Sequence, residues 1–122
     1  MNSYFHAQSS ARKWGGAAED YLAIHEFIDS SKIVIGDVRH RSLYHHTAGV
    51  YLCARIFGDT ITVGRKKIPV RLIAERHIIE DLGWLPSPKD YLDGMPIATW
   101  MGGKQTRTVP LSTLALTSGD QP

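Results

Sequence analysis

Apolar residues recur at helical spacing in several stretches of the chain. From Ala17 to about Ser30, Tyr21, Ile24, Phe27 and Ile28 form a stripe that leaves Glu19, Glu26 and Asp29 on the other side, the pattern of an amphipathic helix. The stretch from Ser31 to Phe57 has no proline, only Gly36 and Gly49 as weak points, and Gly58 where a C-terminal stop belongs. It predicts one long helix or two nearly continuous ones. Helical spacing returns from Arg71 to Leu82 and ends at Gly83. Between these helices, the β-branched arms Thr60 to Val63 and Ile68 to Val70 flank the basic turn Gly64-Arg65-Lys66-Lys67, which predicts a β-hairpin with Pro69 at an edge. Residues 1–16 are polar and predict a short element, anchored by Trp14 and stopped by Gly15-Gly16. After Leu82, the rigid turn Trp84 to Pro88 leads into a short helix near Lys89 to Asp93.

These elements predict a mainly α fold: one compact helical domain over residues 1–101, with one long central helix and a small hairpin near 60–70. Residues 102–122, rich in Thr and Ser, are expected to form an extended or partner-dependent tail.

Composition narrows the function classes more than it names one. A chain of 122 residues is one domain's worth of protein. Fourteen Lys and Arg against twelve Asp and Glu give a net charge of +2, so anion recognition has to be local rather than a property of the whole surface. The sole cysteine, Cys53, excludes an internal disulfide and a thiolate-rich zinc site, and its apolar neighbours predict a buried filler. No stretch approaches the ~20 apolar residues of a spanning helix, so no membrane role and a cytoplasmic location are expected.

Chemistry concentrates at histidine, the side chain that titrates near neutral pH and the commonest metal ligand. His25, His40, His45, His46 and His77 all lie in or beside predicted helices, mixed with Asp29, Asp37, Glu75, Glu80 and Asp81. Residues on one helix meet a common ligand only at spacings of about three, four or seven. His40 and His45 are five apart, so three histidines of one straight helix cannot share one ion. The spacing leaves separate pairs: His25 with Asp29, Asp37 with His40, Arg41 with His45, and Ser42 with His46. His77 and Asp81 also have chelating spacing, although a polar outer face carrying His77, Glu80 and Asp81 accounts for them equally well. On that reading Ala74, Ile78, Ile79 and Leu82 form the buried face, Glu75 falls inside it, and a helix-two arginine or histidine is its expected partner.

Named catalytic motifs are absent: no zinc-finger spacing, no H-E-x-x-H, no G-x-x-x-x-G-K, no G-x-S-x-G, no glycine-rich dinucleotide loop and no adjacent His-Asp dipeptide.

The run Ser9-Ser10-Ala11-Arg12-Lys13-Trp14-Gly15-Gly16, with Glu19-Asp20-Tyr21-Leu22, Ile24-His25, Arg39-His40-Arg41, His45-His46 and Glu80-Asp81-Leu82-Gly83, resembles an uncharacterised family of small bacteriophage and prophage proteins. The resemblance implies a setting, the cytoplasm of a bacterial host. Small phage proteins often counter host defence by sequestering or degrading a nucleotide signal, or by covering a host protein.

Three functions follow as expectations. The first is binding of a phosphate-bearing small molecule through Arg39, Arg41, Arg71, His45 and His46, because the guanidinium fork suits phosphate. The second is a metal-dependent phosphohydrolase, with His25, His40 and His77 holding zinc or manganese and with Glu75 and His46 as catalytic groups. The third is a non-enzymatic inhibitor of a host defence protein. Homo-oligomerisation is expected with each.

Overall fold

A computed structural model describes residues 1–103; from residue 104 onward the expected tail lies outside the described residues. The fold is mainly helical with one small antiparallel hairpin, as the periodicity predicts. The α-helices are α1 (Ser3–Trp14), α2 (Leu22–Asp29), α3 (Arg41–Tyr44), α4 (Thr47–Phe57), α5 (Val70–Leu82) and α6 (Pro88–Leu92). The hairpin strands are β1 (Thr60–Val63) and β2 (Lys66–Pro69), and 3₁₀ turns occupy Ala18–Asp20, Ser30–Ile33, Val38–His40 and Thr99–Gly102.

Local chemistry explains most boundaries. The Asn2 side chain accepts a hydrogen bond from the Phe5 N–H and starts α1, which ends at Gly15. Gly83, in the left-handed conformation, ends α5. In the hairpin, Thr60 pairs with Pro69 and Val63 with Lys66, leaving Gly64 and Arg65 as the turn. Gly64 supplies the positive φ, 62°, that a tight two-residue hairpin turn needs.

The long helix expected over Ser31 to Phe57 is divided. Asp37 accepts from the Arg39 N–H and opens the turn Val38–His40, and α3 ends at His45, whose ψ of 62° leaves the helical region. His46 then caps α4: its Nδ1 accepts from the Gly49 N–H. Two capping side chains, rather than a proline, break the stretch. The second break also brings Gly49 against the Tyr44 carbonyl, where a Cβ would lie 1.9 Å from the oxygen. We therefore expect Gly49→Ala to destabilise the domain by about 3 kcal/mol or more, by forcing backbone apart in a packed interior. A urea midpoint unchanged by the substitution would contradict this close approach.

The apolar core is built by Tyr21 just before α2, Ile24 and Ile28 of α2, Val50 and Cys53 of α4, and Ile73, Ala74 and Ile78 of α5, with Ala7 of α1 and Ile68 of β2 closing it. The Tyr21 hydroxyl donates to the Gly15 carbonyl at 2.6 Å, so the buried phenol is satisfied. Burial pushes the Cys53 thiol up to about 12, which makes it the expected inert filler. No helix of the described residues is long and apolar enough to cross a membrane.

Beside this core lies a polar interior. All six histidines are buried, together with Ser9, Ser10, Asp29 and Ser31. The inward face of α1 is therefore polar, His6, Ser9 and Ser10 joining Ala7. The inward face of α5 is rotated from the expected one. Val70, Ile73, Ala74, His77 and Ile78 are buried and Ile79 is exposed, so His77 and Asp81 do not belong to an outer polar face.

Candidate metal centre

Four side chains from three parts of the chain converge in the polar interior: Asp29 at the end of α2, His45 in the break between α3 and α4, and His77 and Asp81 one turn apart on α5. Each offers one ligand atom, and these atoms all lie within 4.8 Å of one another. His45 Nε2 is 2.9 Å from Asp81 Oδ2 and 3.5 Å from Asp29 Oδ1. His77 Nε2 is 3.2 Å from Asp29 Oδ1 and 3.3 Å from Asp81 Oδ2. Ligands about 2.0–2.1 Å from a tetrahedral zinc ion stand about 3.3–3.4 Å apart, so these spacings match the edges of such a site.

Neighbouring groups orient three of the four side chains, while the buried Nδ1 of His45 has no hydrogen-bond partner among the described residues. His6 Nε2 donates to the other oxygen of Asp81 at 3.1 Å, while its Nδ1 meets Glu80 Oε1 at 2.8 Å and its ring stacks on His77 at 3.7 Å. Glu80 in turn accepts from the Ser9 hydroxyl. Ser3 Oγ donates to Asp29 Oδ2 at 3.0 Å, and Lys32 Nζ lies 3.7 Å from the same oxygen. Asp29 and Asp81 thus each keep one oxygen, Oδ1 and Oδ2 respectively, for the cluster.

The electrostatics suit a cation. Burial pushes the Asp29 carboxyl upward, but the hydrogen bond and charge of His77, with help from Lys32 and Ser3, outweigh it and bring its pKa down to about 2. Asp81 also resists burial and is held well below the usual carboxylate range by His45, His6 and His77. Two ionised carboxylates therefore share a largely dry interior. For His77 the burial penalty is exceeded by Asp29 and Asp81, and its pKa is raised. For His45 burial prevails and lowers it. His25, behind His77, is lowered to about 3, first by burial and then by repulsion from His77 and His6.

His40 completes the surroundings. Its Nδ1 donates to the Asp37 carbonyl at 2.9 Å, and its Nε2 lies 4.0 Å from Asp29 Oδ1 without a hydrogen-bond partner among the described residues. A buried ring nitrogen without a partner is costly unless a polar ligand or ion stands beside it.

Of the histidines expected to hold metal, His77 belongs to the cluster, His40 borders it and His25 stands one residue behind it. His45, expected as an anion contact, is also one of the four. His46 lies outside the four, its Nε2 donating to the Ser42 carbonyl at 3.1 Å while Nδ1 caps α4. The arginines are not gathered: exposed Arg39 pairs with Asp37 at 2.8 Å, and exposed Arg71 with Glu75 at 3.6 Å. Arg41 has a buried Nε with no partner among the described residues. Glu75 does not enter the core; its side chain is 29% exposed and its partner is Arg71 one turn earlier on α5, not a residue of the second helical stretch. Glu75→Gln is accordingly expected to change stability by less than about 0.5 kcal/mol and to leave divalent-cation affinity unchanged; a calorimetric titration beside wild type checks this.

His6 stands in a stretch with no helical stripe to mark it, and the His77–Asp81 pair reads equally as a chelating pair or as part of a polar outer face. The available signal was the i, i+4 spacing of His77 and Asp81, with Asp29 at the border of the α2 stripe.

A family model described as a domain of unknown function, DUF6915, matches residues 1–101, and the chain belongs to that family. No curated protein and no solved structure matches it.

Proposed function

We propose that this member of DUF6915 is a divalent-metal protein, with one ion held by Asp29, His45, His77 and Asp81, and that the ion serves hydrolysis of a phosphate-bearing small molecule. The observation that carries the reading is the approach of two imidazole nitrogens and two carboxylate oxygens to within 4.8 Å of one another, with nitrogen–oxygen distances of 2.9–3.5 Å. Two anionic and two neutral ligands balance a 2+ charge, and a nitrogen–oxygen set suits zinc or manganese. An ion there, if its coordination expands to admit water, would supply the Lewis acidity for attack on phosphorus. The unpartnered His40 Nε2, 4.0 Å from Asp29 Oδ1, supports a place for a further ligand beside the ion. The likeness to small phage and prophage proteins adds a setting to the proposal: a nucleotide signal of host defence as substrate, in a bacterial cytoplasm.

A second reading has its own support. Every ligand side chain is nearly sealed from solvent, the most exposed, Asp29, retaining 6%, and structural ions sit in such closed sites. Elemental analysis of protein purified without chelators, followed by turnover assays on nucleotides with manganese or zinc, separates the readings. One equivalent of metal with phosphate release supports the hydrolase. Stoichiometric metal without turnover leaves the structural ion, and no metal under any loading condition removes both.

A further inference from the structure

Behind the ligand cluster, buried side chains form a hydrogen-bonded line. Ser10 Oγ is 2.8 Å from His25 Nε2, and His25 Nδ1 is 2.8 Å from His77 Nδ1. His77 Nε2 is the atom that faces Asp29 and Asp81. Ser10, His25 and His77 come from α1, α2 and α5, and each is 0% exposed. No water competes for these contacts, so each ring nitrogen has one partner and the protons have to be ordered along the line.

We infer that His25 is the positioning residue of the centre: it fixes the tautomer of His77 so that Nε2 is the ligand atom, and Ser10 in turn fixes His25. This rests on the metal reading above and assigns the support behind one ligand. The order follows from donor and acceptor counting. With an ion on His77 Nε2, the neutral ring carries its proton on Nδ1 and donates it to His25 Nδ1. That nitrogen accepts only as a lone pair, so His25 carries its own proton on Nε2 and donates it to Ser10 Oγ. The reverse order, with Ser10 donating to His25 Nε2 and His25 Nδ1 donating to His77 Nδ1, would put the proton of His77 on Nε2, which then donates to the carboxylates and has no lone pair for an ion. Metal-bound histidines generally donate their second N–H to a carboxylate, carbonyl or water. Here a second imidazole takes that place, and the serine hydroxyl at the far end accepts from it.

The line also explains the polar face of α1. Ser10 is buried because α1 has to bring its hydroxyl to His25, while His6, one turn earlier, reaches Asp81 and stacks on His77. α1 therefore supplies no ligand yet supports three of the four, since Ser3 at its start also donates to Asp29.

The test uses zinc alone as probe, on the full chain. Wild type is compared with His25→Leu, which removes the acceptor, and His25→Asn, whose side-chain oxygen stands near the position of Nδ1 and restores it. His25→Leu is expected to weaken zinc binding by about 10–100-fold, and His25→Asn to recover most of the loss. In zinc-loaded wild type, nitrogen-15 spectra should show His77 protonated at Nδ1 and His25 at Nε2. Equal zinc affinity in wild type and a folded His25→Leu variant overturns the inference, as does His25 protonated at Nδ1 in the zinc-loaded wild-type spectrum, which needs no variant to fold. Failure of wild type to bind zinc overturns the metal reading first, and this inference with it.

Discussion

Zinc at 1 mM is expected to raise the melting temperature of chelator-stripped protein by about 12–20 °C. Two ionised carboxylates, Asp29 and Asp81, stand in the interior with at most 6% of either side chain exposed. Without an ion their charge is met by buried histidines, by the Met1 amino group 3.5 Å from Asp81 and by Lys32, whose ammonium is itself half in water. Each such buried charge carries a desolvation penalty that is offset only when its lone pairs are filled. An ion bound to the folded state alone stabilises it by mass action, about 4 kcal/mol when present at a thousand times its dissociation constant. For a domain of this length each kcal/mol moves the midpoint by roughly 3–5 °C. Thermal melts followed by circular dichroism, with EDTA and then with excess zinc or manganese, read the shift directly. Coincident curves would contradict a site that binds only in the fold.

The substitution Asp81→Asn is expected to abolish that response. Asn keeps the shape and one oxygen acceptor but removes the charge, and Asp81 stands within 3.3 Å of both ligand histidines while His6 holds its other oxygen. Loss of a direct ligand should exceed the ~10–100-fold loss that follows removal of a supporting residue, so zinc affinity should fall by more than about 100-fold. The variant is then expected to melt at the same temperature with zinc or with EDTA. Asp29→Asn should behave alike, whereas Glu75→Gln should keep the full response. A variant lacking Asp81 that still gains more than a few degrees from zinc would move the ion elsewhere.

The hairpin, the glycine stops and the helical identity of α2 and α5 were legible because each rests on interactions within a few residues, whereas residues 1–16 read only as a short polar element and form the 12-residue helix α1. Gly64 sets a turn, Gly83 a C-terminus, and the stripe of Tyr21, Ile24 and Ile28 a buried face. The break inside Ser31 to Phe57 was harder to read, since Asp37 and His46 cap helices there and His46 is an uncommon capping residue. Glu75 was misread for a clear reason. The face of α5 was assigned from apolar residues alone, and the true inward face includes His77 and Asp81, which rotates Glu75 to the margin and Ile79 to solvent.

By itself the sequence determined the helical class, the hairpin, most element ends and the concentration of histidine and carboxylate chemistry, because periodicity and capping act over short distances along the chain. Which of those groups share a site was decided only by tertiary structure. Asp29 and His77 are 48 residues apart and His45 and Asp81 are 36 apart, so no helical spacing relates them. They meet because α2, the α3–α4 break and α5 enclose one polar interior, where buried charge has to be neutralised and where α1, polar in sequence, is needed as the wall.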